Sequence, residues 1–336
     1  MSERTIPRLC VLFPGALGDL ICFLPALQIL ARDAAVDLFA RTEFAGIVPA
    51  SVRVRSLERY EISRLFAPNA VADERVGNFF CSYVAIHSWM GSRNSEFVRQ
   101  LRSVTQGRSR IYPFHPTGMA MHQTDFFLSC LTEMLPVSCD PSIVPHPDAL
   151  AWSERYWAQQ SLRGRAVLVL APGSGAREKN WPQTFYRTVA DWWPGSTGGA
   201  VIVLHGPVEE ARGEMNLLQD DTVIARDLTL AQVAALIYRS DVYLGNDSGI
   251  THLAAAVGIR TVALFGPSDA RRWAPRGKQV TIVSRQVQCS PCAPAVMKAC
   301  PHRACLTGLS PAQVIDELSR LPAPATLTRG GVRITV

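Results

Sequence analysis

Between Asp241 and Asp269 the chain reads DVYLGNDSGITHLAAAVGIRTVALFGPSD, an order of residues that few folds accommodate. Val242 to Gly245 is a short apolar run of strand type, and Asn246, Asp247, Ser248 and Gly249 make a polar turn. Ile250 to Val257 then follows helical spacing, and Thr261 to Phe265 is a second apolar strand. Apolar strands joined through a helix predict a parallel βαβ unit with a buried sheet. Ala254, Ala255 and Ala256 allow the helix to lie close against that sheet. The turn falls where a strand ends and a helix begins, and there the unpaired N–H groups and the helix dipole favour an anion. Taken alone, Asp247 and Ser248 are better explained as helix caps and His252 as an interior histidine, and it is the rest of the chain that shifts the reading.

The same alternation recurs along the chain. Arg8 to Phe13 is an apolar strand running into the glycine turn of PGALGDL, and Gly18 to Leu30 reads as a largely buried helix bent at Pro25. Strands are expected at Ala35 to Ala40, Ser51 to Arg55 and Ser82 to Trp89, and a helix at Ser95 to Val104. The proline-rich stretch Val137 to Asp148 carries little periodicity and marks a boundary. Beyond it come strands at Ala166 to Ala171 and Ala200 to Leu204, helices at Pro182 to Trp193, through Leu218, and at Leu230 to Tyr238, and the βαβ unit. A strand at Val280 to Val283 and a helix at Pro311 to Leu321 complete the series. The expectation is an α/β chain of two Rossmann-like domains with parallel sheets, residues 1–150 and 151–336.

A length of 336 residues allows two cores of ordinary size. With 18% charged and 48% apolar residues, the composition excludes a disordered or fibrous chain. The net charge of +6 is spread out with no long Lys/Arg run, so nucleic acid is not an expected partner, whereas an anionic small molecule or surface is. The apolar stretch Leu9 to Leu30 is interrupted by Asp19, which leaves pieces too short to span a bilayer, and no export signal is read there. Nine cysteines, an odd number, fit a reducing compartment, and a cytoplasmic location is expected.

The residues able to carry chemistry collect in loops that follow strands, where open α/β sheets bind ligands. In PGSGAREKNWP, Gly173 and Gly175 bare backbone N–H groups, Ser174 adds a hydroxyl and Lys179 a cation, together a cradle for a diphosphate. HGPVEE places Glu209 and Glu210 where a ribose diol could be held, though acidic residues also suit a helix's first turn. Asp19 sits at a helix start inside a glycine turn, either as a complement to the dipole or as a base for an acceptor hydroxyl. Arg99, Arg102, Arg108 and Arg110 form a basic patch, a solvated face or a contact for an anionic acceptor.

Taken together, GALGDL with Pro25-Ala26-Leu27, then PGSG…K-x-W-P, then NDSGITHLAAA with LFGPSD resemble glycosyltransferase family 9, the ADP-heptose:lipopolysaccharide heptosyltransferases, from about Leu9 to Leu318. The resemblance implies a GT-B architecture, two Rossmann-like domains facing across a cleft, the first on the acceptor side and the second binding the donor. It implies that Asp19 is the catalytic base and that Lys179 binds the donor phosphates. Ser174, Gly175, Asp247, Ser248, Gly249 and His252 match the donor site, Glu210 a ribose contact and Leu228 the adenine side. Pro14 and the pair Ser174-Gly175 depart from the pattern of many members, and the acceptor and the particular sugar are open there. The implied partners are an ADP-sugar donor and an anionic lipid-linked saccharide acceptor, with peripheral contact at the cytoplasmic face of the inner membrane. No cofactor is implied.

An inverting transfer needs a base and stabilisation of the departing diphosphate, which a lysine and helix termini supply without metal. No Asp-x-Asp occurs in the chain, which argues against a metal-dependent GT-A mechanism. Cys289, Cys292, Cys300 and Cys305 are spaced C-x2-C-x7-C-x4-C, which a structural zinc site could use, but free or paired thiols are the favoured reading. Two other readings compete. A dinucleotide-dependent oxidoreductase would need a G-x-G-x-x-G, which no predicted strand precedes. A non-catalytic nucleotide-sugar binding protein would not need both Asp19 and Lys179.

Overall fold

In the computed structural model the described residues are 6–117, 121–132, 140–206, 210 and 222–320. The chain divides into two compact units, Met1–Val144 and Pro145–Val336. Helix Pro147–Gln159 thus belongs wholly to the second, entered through His146, whose ring accepts from the Asp148 N–H, and with Pro147 in the first turn, where its missing N–H costs nothing.

In the first unit, β1 (Arg8–Leu12), β2 (Ala35–Ala40), β3 (Val52–Ser56), β4 (Ala85–Ser88) and β5 (Ser109–Ile111) form one parallel sheet in the order β3-β2-β1-β4-β5. β1 lies in the middle, and Val11 and Leu12 are completely buried. Helix Leu17–Leu30 follows β1 and runs on through Pro25, with Leu20 to Leu27 all buried. A helix buried all round needs no amphipathic stripe, which is why this stretch could be mistaken for an export signal.

The second unit assembles β6 (Val167–Ala171), β7 (Ala200–Leu204), β8 (Val223–Ala225), β9 (Val242–Asn246), β10 (Arg260–Phe265) and β11 (Val280–Ser284). Their order is β11-β10-β9-β6-β7-β8, again parallel. Counted from β6, this is the Rossmann order 3-2-1-4-5-6 read from the other edge. The apolar runs β6, β7 and β9 are buried at every position, as strands covered on both faces must be. Tyr186, Val189, Ala190 and Trp193 of helix Gln183–Thr197 and Val314 and Leu318 of helix Pro311–Arg320 pack into the same core. Helix Gly249–Ala256 bridges β9 and β10, confirming the βαβ reading.

Two short strands, β5 and β8, and helix Gln123–Ser129 were not legible as elements. β5 interrupts the expected basic patch. Arg108 beside it donates to the Phe80 and Tyr83 carbonyls, and Arg99 pairs with Glu96 at 2.5 Å, so these two cations are engaged within the unit. The expected helix through Leu218, and Glu209, lie outside the described residues. Among those residues no helix is long and apolar enough to cross a membrane.

Candidate donor site and the glycine turn

In each sheet the strand order reverses beside the first strand, between β1 and β4 and between β6 and β9, and loops at the carboxyl ends of such strands part to leave a crevice. In the second unit this is where the candidates meet. The loop after β6 and the turn after β9 are joined by an ion pair, Lys179 Nζ to Asp247 Oδ2 at 2.7 Å, with the carboxylate nearly buried and the ammonium 29% exposed. Behind it the fully buried Asn246 acts as a bolt: its Oδ1 accepts from the Trp181 N–H at 2.9 Å and its Nδ2 donates to the Pro172 carbonyl at 2.8 Å. Both ends of the lysine loop are therefore tied to the last residue of β9.

The start of helix Gly249–Ala256 is held by hydroxyls. Ser248 is its N-cap, in extended conformation, with Oγ 3.4 Å from the Thr251 N–H. Thr251 Oγ1 donates to the Asn246 carbonyl at 2.5 Å, so the Tyr243 hydroxyl, 3.0 Å away, has to donate to it. Gly245 leaves room for that tyrosine, since a Cβ there would lie 2.4 Å from its hydroxyl oxygen. His252 is buried, one turn into the helix, and its N–H donates to the Ser248 carbonyl. In the loop after β6, Ser174 Oγ lies 2.7 Å from the Ala176 carbonyl and 2.6 Å from Asn180 Oδ1, which uses the hydroxyl to shape the loop. Gly175 has open space around it, so an anion can approach its backbone closely. The sum is a strand-end crevice with a cation, a helix N-terminus and a glycine with open space beside its backbone, groups of the kind that hold a diphosphate.

Two further candidates stand nearby in the chain. Glu210 is exposed, and its N–H donates to the Gly206 carbonyl. Leu228 is half-buried, immediately before Thr229, which caps helix Leu230–Arg239 through a reciprocal pair with Gln232. The four cysteines lie in the loop and short helices between β11 and helix Pro311–Arg320, and among the described residues no three His, Cys, Asp or Glu side chains form a ready metal cage.

In the first unit, Asp19 is the third residue of helix Leu17–Leu30, half-buried, with Oδ2 accepting from the Ala16 N–H at 3.0 Å. Gly15 is required for this turn, because a Cβ would meet the Phe13 ring at 2.5 Å and Asp19 Cβ at 2.7 Å. Beside the turn, the strand end of β4 carries a group that sequence reasoning passed over. His87 Nδ1 lies 3.1 Å from the Tyr112 hydroxyl, and Trp89 stacks on Tyr112 with ring centres 4.6 Å apart. Burial, then the charge of Arg110, lowers the His87 pKa to about 4, so the ring is neutral near pH 7. The signal was present as alternation in SYVAIHSW, but a histidine inside a strand pattern reads as interior filling.

Two parallel Rossmann-like sheets, the second with a bolted phosphate-type crevice at its point of reversal, define a GT-B type protein. Solved structures agree on the fold: a glycosyl transferase family 9 protein from Veillonella parvula superimposes with a TM-score of 0.74 at 17% identity over 94% of this chain and 97% of that one. The Escherichia coli ADP-heptose lps heptosyltransferase II superimposes with a TM-score of 0.70 at 18% identity, over 93% of this chain and 97% of that one. Residues 144–301, a little under half of the chain and nearly all of it in the second unit, match the model of glycosyltransferase family 9 (heptosyltransferase). A curated relative, lipooligosaccharide heptosyltransferase 2 of Campylobacter jejuni, is 27% identical over 170 residues. That alignment takes in 48% of this chain and 53% of the relative, so the chain spans about half the length of the curated protein it matches.

Proposed function

We propose that this chain is an inverting, metal-independent glycosyltransferase that moves a heptose or related sugar from an ADP-sugar to a lipopolysaccharide-core or other lipid-linked saccharide. The observation that carries the reading is the Lys179–Asp247 pair set on the Asn246 bolt, which puts a partly exposed ammonium beside a helix N-terminus at the point of strand reversal. The names of the relatives supply the sugar, and the Escherichia coli protein's description supplies the ADP.

In this reading the second unit binds the donor. Lys179, the Gly175 amide and the N–H groups at the start of helix Gly249–Ala256 neutralise the diphosphate, while Asp247, Ser248 and His252 line the sugar side. Ser174 shapes the loop, Glu210 contacts the ribose and Leu228 the adenine. The first unit serves the acceptor, and Asp19 is the base. The acceptor oxygen attacks the anomeric carbon as the bond to the diphosphate breaks, its proton passes to the Asp19 carboxylate, and the electron pair leaves with ADP. An anionic lipid-linked acceptor also fits peripheral contact with the cytoplasmic face of the inner membrane.

The test is to incubate the full chain with ADP- and UDP-sugars and truncated lipopolysaccharide acceptors and to read product mass. Transfer from an ADP-heptose with inversion at the anomeric centre supports the proposal. Absence of both transfer and ADP binding, in a protein that is folded, overturns it.

A further inference from the structure

Among the described residues, five other than glycine stand in the left-handed backbone region. Asn69 and Asp227 are of types that tolerate it. Gln106 and Ser161 are the second residues after helices Ser95–Val104 and Pro147–Gln159, where a left-handed residue closes the helix. Neither reason applies to Arg303, with φ of 46°, which precedes the short helix Ala304–Thr307 instead of ending one. Glycine takes this conformation freely, whereas a long side chain strains the backbone there. Strain of this kind persists where the surroundings enforce it, and it gathers at ligand clamps. The question is what the arginine side chain does in return.

It reaches the loop after β6. Arg303 Nη1 donates to the Arg177 carbonyl at 3.1 Å. The same carbonyl accepts from the Asn180 N–H at 3.0 Å, the bond that closes the turn Arg177–Lys179, and Asn180 Oδ1 accepts from Ser174 Oγ. Arg303 therefore grips the turn that carries Lys179. Two residues beyond the lysine the same stretch of chain holds the loop again, because Trp181 Nε1 donates to the Leu309 carbonyl at 2.8 Å. The two clasps straddle Lys179. Between them Leu306 is seated on the turn after β10, so close that a Cβ on Gly266 would lie 2.5 Å from its Cγ. β9, whose turn carries Asp247, lies between β10 and β6, so the stretch Arg303 to Leu309 ties together the loops on either side of it. The Trp181 bond is buried, whereas the Arg303 bond is exposed to solvent and can be cut without opening the core.

We infer that Arg303 is a positioning residue for the donor diphosphate, holding the turn Arg177–Lys179 so that the Lys179 ammonium stands where the phosphates bind. The inference rests on the donor reading of the second unit given above. Arg303 acts through Lys179 and does not itself touch the donor. With the clasp cut, the turn samples other arrangements, and the apparent affinity falls in proportion to the fraction that keeps the lysine in place.

The experiment measures ADP affinity by calorimetric titration, together with the melting temperature, on the full chain and on Arg303→Gly and Arg303→Asn. Both replacements accept the left-handed backbone, so both variants should fold and keep the parent's melting temperature. Each should bind ADP about tenfold less tightly, the worth of one charge-assisted hydrogen bond. An arginine that only supports the fold gives the reverse, a lowered melting temperature with ADP affinity unchanged. Lys179→Ala supplies the third arm. Because Arg303 works through the lysine, adding Arg303→Gly to Lys179→Ala should cost no further affinity, and a second loss of about tenfold overturns the inference. A parent that binds ADP, with both Arg303 variants binding it equally well, overturns the inference and leaves the donor reading standing. A folded parent that binds no ADP overturns the donor reading and the inference with it.

Discussion

The two points of strand reversal are built from opposite materials. Between β6 and β9 the loops are fastened by polar groups: Asn246, Thr251, Tyr243 and Ser248 bond one another and the backbone, and Lys179 is set on Asp247. Between β1 and β4 the same place is filled by rings. Phe13 stacks on Phe23 with centres 4.5 Å apart, Phe23 meets Trp89 edge-on at 4.6 Å, and Trp89 stacks on Tyr112. Hydrogen bonds are directional and fix one loop position, which suits a site that must present amides and a charge to a fixed phosphate geometry. Aromatic packing fills volume and tolerates neighbours of varied shape, leaving Asp19 as the charged group on the glycine turn. The comparison predicts chemistry on the aromatic side and binding on the polar side, and each can be broken separately.

The largest effect is expected at Asp19. Asp19→Asn retains an oxygen able to accept from the Ala16 N–H, so its cost in stability should stay below about 1 kcal/mol. If Asp19 is the base proposed above, the substitution removes the carboxylate that would take the acceptor's proton, and turnover should fall by about 10²–10⁴-fold with donor affinity unchanged. Normal turnover per folded molecule, with a lowered melting temperature, would make Asp19 a cap and sink the division of labour.

On the polar side, Asn246→Ala should be the most damaging substitution to stability. It strands the Trp181 N–H and the Pro172 carbonyl, and two buried bonds lost in this way amount to about 2–4 kcal/mol. Thermal unfolding should show a fall of about 5–15 °C, and an unchanged melting temperature would show that the loop after β6 is held by something else. Lys179→Ala should weaken ADP binding by roughly ten- to a hundredfold, the worth of a charge-assisted phosphate contact of about 1.5–3 kcal/mol. Because Asp247 then loses its ammonium partner, Lys179→Ala with Asp247→Asn should be more stable than Lys179→Ala alone. Calorimetric titration with ADP and a melting curve on the three variants separate the two consequences.

The polar site was legible because its parts are consecutive. Asn246 to Gly249 and Gly173 to Lys179 are short polar runs bounded by apolar strands, so their place at strand ends follows from the pattern. What could not be read was the pairing: nothing in the spacing says that β6 lies beside β9, and the Lys179–Asp247 contact exists only because it does. β5 and β8 escaped because three residues cannot show a period of two, and helix Gln123–Ser129 because its buried residues include the polar Gln123 and Thr124 beside Phe126, Phe127 and Leu128, which blurs any amphipathic pattern. The aromatic site was illegible for a related reason. Phe13, Trp89, Tyr112 and Phe127 are dispersed in the sequence, and each alone reads as core.

The smallest effect sharpens the comparison through pH. His87 is buried among Trp89, Tyr112 and the field of Arg110, and its pKa is lowered to about 4 from an ordinary 6.5. A histidine depressed in this way binds protons more readily in the unfolded chain, so its contribution to stability is complete above the unfolded value. That contribution is lost as pH falls from about 6.5 toward 4. Between pH 7 and 5 the loss should be about 2 kcal/mol, and it belongs to the first unit. Its source can be separated from the carboxylates, because Glu61, held down at about 2 against its burial by Arg59 and Arg75, titrates below this window. His87→Gln should flatten the slope of denaturant stability between pH 7 and 5 while leaving ADP affinity alone, since the polar crevice contains no part of this stack. An imidazole proton resonance of His87 that titrates near 6.5 in the folded chain would show that the aromatic site admits water, and the contrast between a ring-filled and a hydrogen-bonded point of reversal would fail at its first unit.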